Sequence, residues 1–204
     1  MPSRLILGLL VLVSLAFAAP AQAAPGALNV LVVGNQSSTG SDLATAIAGE
    51  PGVATATSFE SNSGTPSPEI LATYDLIVSI GDSNYFDAAL WGNRLADYID
   101  AGGPVVQTAY DNWEDDGAAP TGRFESGGYA PFLRGDNENL GVTLGTLVVP
   151  DSPLVQDLGV FPTSDNTTTP LAPGATLLAK WSDDRNAIAV KGRVASVSAS
   201  PGDA

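Results

Sequence analysis

The 204 residues carry 22 acidic side chains against 8 basic ones, a formal net charge of −14, and include neither cysteine nor histidine. Without cysteine there is no disulfide, zinc–thiolate site or thiol nucleophile, and without histidine the commonest general base and metal ligand is missing. So acidic a chain repels phosphate backbones and anionic lipid, which argues against nucleic acid and membrane as partners, while 44% hydrophobic and 15% charged residues suit a packed core.

Arg4, an apolar run over residues 5–17 and the small-x-small exit Ala21-Gln22-Ala23 have the physical form of a secretory signal peptide over residues 1–23. The run is shorter than the ~20 residues a spanning helix needs, and no cysteine follows it to accept a lipid. Its removal would leave 22 acids against 7 bases. Residues 24–204 then read as one acidic domain of a secreted protein, extracellular or periplasmic.

The β-branched run 28–33 ends at Gly34, as a buried parallel strand does. A polar loop over 35–40 is expected next, then a helix over 43–48 capped by Ser41 or Asp42 and stopped by Gly49-Glu50-Pro51-Gly52. Strands are expected at 53–59 and 74–80, with a Ser/Pro/Gly-rich loop over 60–68 between them. The strongest helical pattern covers 87–101, where Leu90, Arg94, Leu95, Tyr98 and Ile99 recur at three- and four-residue spacing. Gly102-Gly103 ends it and a strand over 104–108 follows at once. Beyond Tyr110 a polar, Gly-rich stretch reaches about Gly141. Strands are then expected at 142–149, 175–181, 187–190 and 193–198, with a short helix over 152–158. Alternating strands and helices with short turns imply an α/β, doubly wound, mostly parallel sheet with helices on both faces, flavodoxin-like in arrangement.

Tyr74-Asp75-Leu76-Ile77-Val78, the helix ending Leu95-Ala96-Asp97-Tyr98-Ile99-Asp100-Ala101-Gly102-Gly103 and the strand Pro104-Val105-Val106 resemble the class I glutamine amidotransferase-like superfamily. The likeness is to its secreted and trehalose-utilisation-like branches. Asp151-Ser152-Pro153-Leu154 and Gly192-Arg193-Val194 resemble later segments of the same branch, so the likeness spans roughly residues 28–197. Catalytic members place a cysteine on the turn after the strand that ends here in Gln107-Thr108-Ala109-Tyr110, and a histidine where Ser152 stands. The resemblance therefore implies the fold without the amidotransferase activity. The chain stops at Ala204, near where the fold implies a closing helix. It reads as a domain short of its last element, or as the upstream part of a longer bacterial protein.

In such a sheet, ligands bind beyond the carboxyl ends of the strands. That edge would gather Asn35 and Gln36, then Asp82, Ser83 and Asn84, then Tyr110, Asp111 and Trp113. Amides, acids and rings of this kind suit carbohydrate, although the same residues also close turns. Asn112, Glu114 and Asp116 fall at the first, third and fifth places of a calcium-loop count. The twelfth place is Arg123 rather than a glutamate, so the motif fails and a solvated acidic loop competes with calcium. The second acidic cluster, around Asp136, has no fixed spacing to the first. Lys180 and Lys191 stand beside no activated hydroxyl, and Trp91 and Trp181 read as packing residues. Asn35-Gln36-Ser37 and Asn166-Thr167-Thr168 match the glycosylation sequon. Two function classes remain. One is a non-catalytic module binding carbohydrate or another extracellular protein; the other is a hydrolase using carboxylates such as Asp82 and Asp111.

Overall fold

Apolar side chains fill consecutive positions of β1 (Leu28–Gly34), so this strand has to be covered on both faces. The structure, a computed structural model, describes residues 27–34, 37–81, 83–115, 117–138 and 140–201. Val30 and Val32 face one layer, where Leu43, Ala44 and Ile47 of α1 (Ser37–Ala48) pack on them. Leu31 and Val33 face the other, built mainly from α3 (Ala88–Asp100), with Leu71 of α2 (Pro68–Leu71) and Phe124 of α4 (Gly122–Ser126).

The two layers clamp a sheet whose parallel part runs β2 (Val53–Glu60), β1, β3 (Leu76–Ile80), β4 (Val105–Gln107), β11 (Val194–Val197). This is the flavodoxin-like order, with the final strand supplied from far along the chain. Beyond β11 the sheet continues antiparallel through β10 (Asn186–Lys191), β9 (Thr176–Trp181), β6 (Val142–Leu147) and β7 (Pro162–Thr163). A separate ribbon pairs β5 (Asn137–Glu138) with β8 (Asn166–Thr167). The helix-covered centre is thus the expected doubly wound α/β sheet, and the antiparallel extension is an addition to it. Among the described residues no helix is long and apolar enough to cross a membrane.

Three elements depart from the sequence pattern. α1 starts at Ser37, inside the stretch read as a loop. Its Ser, Thr and Gly residues are mediocre helix formers, but burial of Leu43, Ala44 and Ile47 outweighs propensity. On α3 the buried stripe is Trp91, Leu95 and Ile99, with Gly92 and Ala96 beside it, whereas Leu90 is 37% exposed. Residues 152–158 form turns instead of a helix, burying Leu154 and Val155. Seven residues are too few to sustain a helix without a packed face, the isolated limit being about 12. The two tryptophans pack as expected: Trp91 is buried in α3, and Trp181 meets the Phe161 ring edge-on at 5.6 Å.

α3 is bounded by its own sequence. The Asp87 carboxylate accepts from the Leu90 amide at 2.8 Å, and Gly102 takes φ +100° just past the far end. Replacing Asp87 with alanine should cost about 1 kcal/mol, the ordinary worth of an N-cap, measured by urea unfolding.

Candidate functional site

Strand alternation puts Ser79, Gln107 and Ser196 on the same face as Ile77, Val105 and Val194, two residues on in each case. All three are fully buried, so the carboxyl ends of β3, β4 and β11 carry a polar layer under the α3 side of the sheet. The 3-10 turn Ala109–Asn112 brings Asp111 and Asn112 onto it. The Tyr85 hydroxyl donates to Asp111 Oδ1 at 2.6 Å and lies 3.1 Å from Ser79 Oγ, which also accepts from Trp91 Nε1 at 3.2 Å. Asn112 Nδ2 donates to Thr108 O at 3.0 Å and to Ser196 Oγ at 2.8 Å.

Burial pushes the Asp111 carboxyl up to about 7, against the opposing effects of Tyr85, Ser79 and Gln107. Burial, and then the neighbouring Asp111, raises the Tyr85 phenol well above its ordinary value. The layer is incompletely satisfied. Asp111 Oδ2, Asn112 Oδ1 and both polar atoms of Gln107 are buried without a protein hydrogen bond of regular geometry.

The chain closes over this edge. Tyr85 N donates to Gly117 O at 2.9 Å, and Ala118 lies so near Gly81 that a Cβ there would come within 1.9 Å of its carbonyl oxygen. Thr108 and Ala109 are 1% and 0% exposed. Ala109 N donates to Ala199 O at 3.0 Å, and Thr167 Oγ1 donates to Ala109 O at 3.4 Å.

The residues expected along this edge therefore divide. Asn35, Gln36, Asp82 and Asp116 lie outside the described residues. Ser83 is half-buried, and Asn84 is exposed with its side chain against Gly117. The Tyr110 hydroxyl donates to the Asp165 carboxylate, and its ring is tilted 60° to Trp113 at 6.3 Å. Asp111 and Asn112 are buried inward, whereas Glu114 is exposed, so the structure does not bring Asn112 and Glu114 to one point. Instead Glu114 meets Asp136, whose hydrogen bond and charge raise its carboxyl, uniting the two acidic clusters that sequence spacing left unrelated. Among the described residues no group of three acids converges.

Two cavities bear on binding. A pocket of about 140 Å³ has Asp111 and Asn112 among its lining, walls that include Phe124, Phe132 and Leu133, and Lys191. A cleft of about 460 Å³ lies at the opposite, amino end of the parallel strands, between α2 and α3. Tyr74, Asp75, Arg94, Asp97 and Tyr98 line it. Tyr98 Oη donates to Tyr74 O at 3.0 Å, the Tyr74 and Thr57 hydroxyls lie 2.8 Å apart, and Arg94 donates to Pro66 O at 2.5 Å. Sequence reading missed the cleft because Tyr74 and Asp75 looked like the start of a strand that begins at Leu76.

No family model and no curated protein matches this sequence. Solved structures do. A ThuA-like protein from Bacteroides uniformis ATCC 8492 superposes with a TM-score of 0.63 at 13% identity, over 90% of this chain and 86% of that one. A glutamine amidotransferase from Thermotoga maritima gives 0.59 at 14% identity, over 84% and 75%. A cytoplasmic protein from Salmonella typhimurium LT2 gives 0.61 at 13%, over 84% and 88%. The fold is amidotransferase-like.

Within that amidotransferase-like fold the remaining sequence candidates are ordinary. Lys180 lies 3.9 Å from Asp184 on the surface of β9. Asn166, the acceptor of one sequon, is fully buried and its Nδ2 donates to Leu140 O at 2.7 Å, so it is no place for a glycan.

Proposed function

We propose that this chain is an exported, non-catalytic amidotransferase-like module that binds carbohydrate. The observation that carries the reading is the turn after β4. Where catalytic members of the superfamily it resembles keep a cysteine, Thr108 and Ala109 are buried and bonded into the fold. The absence of cysteine and histidine from the whole sequence agrees with it. Export rests on the signal-like residues 1–23.

The amino-edge cleft supports binding. Its volume falls in the ordinary range of small-ligand sites, ~300–1,000 Å³. Two tyrosine rings beside two carboxylates and a guanidinium match the apolar faces and paired hydroxyls of a sugar. Calorimetric titration with neutral oligosaccharides should show saturable binding, weakened about tenfold by Arg94→Ala, a change of ~1.4 kcal/mol. Hydrolysis of those sugars at an enzyme-like rate, or affinity indifferent to Arg94, would overturn the proposal.

The competing reading is a carboxylate-dependent hydrolase. Asp111 and Glu125 line one pocket, and a carboxyl held near 7 has the affinity of a general acid. However, about 140 Å³ cannot house a glycosidic bond with a sugar on either side. Calcium remains a proposal resting on Glu114 with Asp136. A thermal melt that rises with millimolar calcium over chelator would support it.

A further inference from the structure

The small pocket poses a problem the cleft does not. Asp111 Oδ2 and Asn112 Oδ1 belong to adjacent residues that both line it, and neither oxygen has a protein hydrogen bond of regular geometry. Buried acceptors in that state each cost ~1–3 kcal/mol unless something supplies the missing hydrogen. Once Asp111 is ionised, above about pH 7, both groups are acceptors and the missing partner is a donor. The rest of the wall is largely apolar, through Phe124, Phe132, Leu133 and Pro173. A cavity of ~150 Å³ accepts a body the size of benzene, and the apolar part of this wall favours an occupant that carries an apolar stem beside its donors.

We propose that this pocket binds a primary ammonium group carried on a short apolar stem, its N–H donors meeting Asp111 and Asn112 and its stem the phenylalanine rings. An ammonium offers three donors and no acceptor, which suits two bare oxygens. Its charge compensates the Asp111 carboxylate, and the net charge of −14 draws cations to the molecule. The other ionic groups of the lining act in known senses. Glu125 and Arg134 pair at 3.2 Å and largely cancel, while Lys191, which makes no ion pair among the described residues, opposes a second cation. The site is separate from the amino-edge cleft and stands whether or not the cleft takes sugar.

The test is a thermal-shift titration of the purified protein with n-butylammonium chloride against n-butanol, with Nα-acetyl-lysine methylamide as a third arm. Butylammonium should raise the melting temperature saturably, and butanol at the same concentrations should not. A shift with the lysine derivative as well assigns the occupant to a lysine side chain of a partner; a shift with butylammonium alone assigns it to a free amine. Asp111→Asn should weaken butylammonium more than tenfold. Because Asp111 is also part of the fold, Lys191→Met supplies the opposite sign: relief of repulsion should strengthen binding about threefold, in the range of partly exposed charge pairs. Equal shifts with butanol, no shift with either ammonium compound, or weaker binding in Lys191→Met would overturn the proposal.

Discussion

Asp111→Asn protein is expected to outlast the native protein in urea at pH 8 and to differ little from it at about pH 3.5. The folded carboxyl titrates at about 7 against an ordinary value of 3.8, because burial disfavours its charge. Between those values the folded state keeps a proton that the unfolded state has released. Stability contributed by this group is therefore present at low pH, falls as pH rises from about 4 to about 7, and is flat above. About three pKa units at ~1.36 kcal/mol each make the swing on the order of 4 kcal/mol. Asparagine still accepts from the Tyr85 hydroxyl but has no charge to bury. Carboxylates such as Asp97 and Asp100, paired with Arg123, remain in both proteins, so the difference between them isolates Asp111. Parallel pH profiles for the two proteins would refute the buried-carboxyl account.

Gly81→Ala should destabilise by about 3 kcal/mol, the upper range for forcing extra atoms into a packed interior. The new methyl would stand 1.9 Å from Ala118 O and 2.8 Å from Asp111 Oδ1. The nearer obstacle is backbone, so relief requires moving the segment that folds over the sheet edge. The Tyr85–Gly117 hydrogen bond lies on the same segment and would be disturbed with it. Equilibrium unfolding in urea measures the loss, and accelerated hydrogen exchange at Tyr85 would show where it arises. A variant as stable as the native protein would mean that the cover is loosely held.

Sequence pattern made the scaffold readable where structure is local. The β-branched run before Gly34, the Asp87 cap and the Gly102-Gly103 stop each mark their element within a few residues. The polar layer was not readable in that way. Ser79, Gln107 and Ser196 look like unremarkable members of apolar strands, and become a site only because β11 pairs with β4 from far along the chain. Asp111 was legible as a candidate at the carboxyl edge. Its burial depends on the cover from residues 117–120, a Gly-Ala-Ala-Pro stretch with no periodic signal. The switch-point rule pointed to the carboxyl edge, whereas the larger cleft lies at the other end, where Tyr74 and Tyr98 meet through tertiary packing.

The position of β11 between the parallel and antiparallel halves bears on how the chain is made. Residues 28–107 hold four parallel strands, and residues 142–191 hold the antiparallel ones, but only Val194–Val197 joins them. Until those four residues leave the ribosome, β4 and β10 both present bare edges, and unpaired edges invite association with other chains. At roughly 5–20 residues per second the gap between synthesis of β4 and arrival of its partner is several seconds. The nascent chain therefore cannot complete its central sheet until nearly all of it has been made, so its two halves spend that interval exposed to wrong partners.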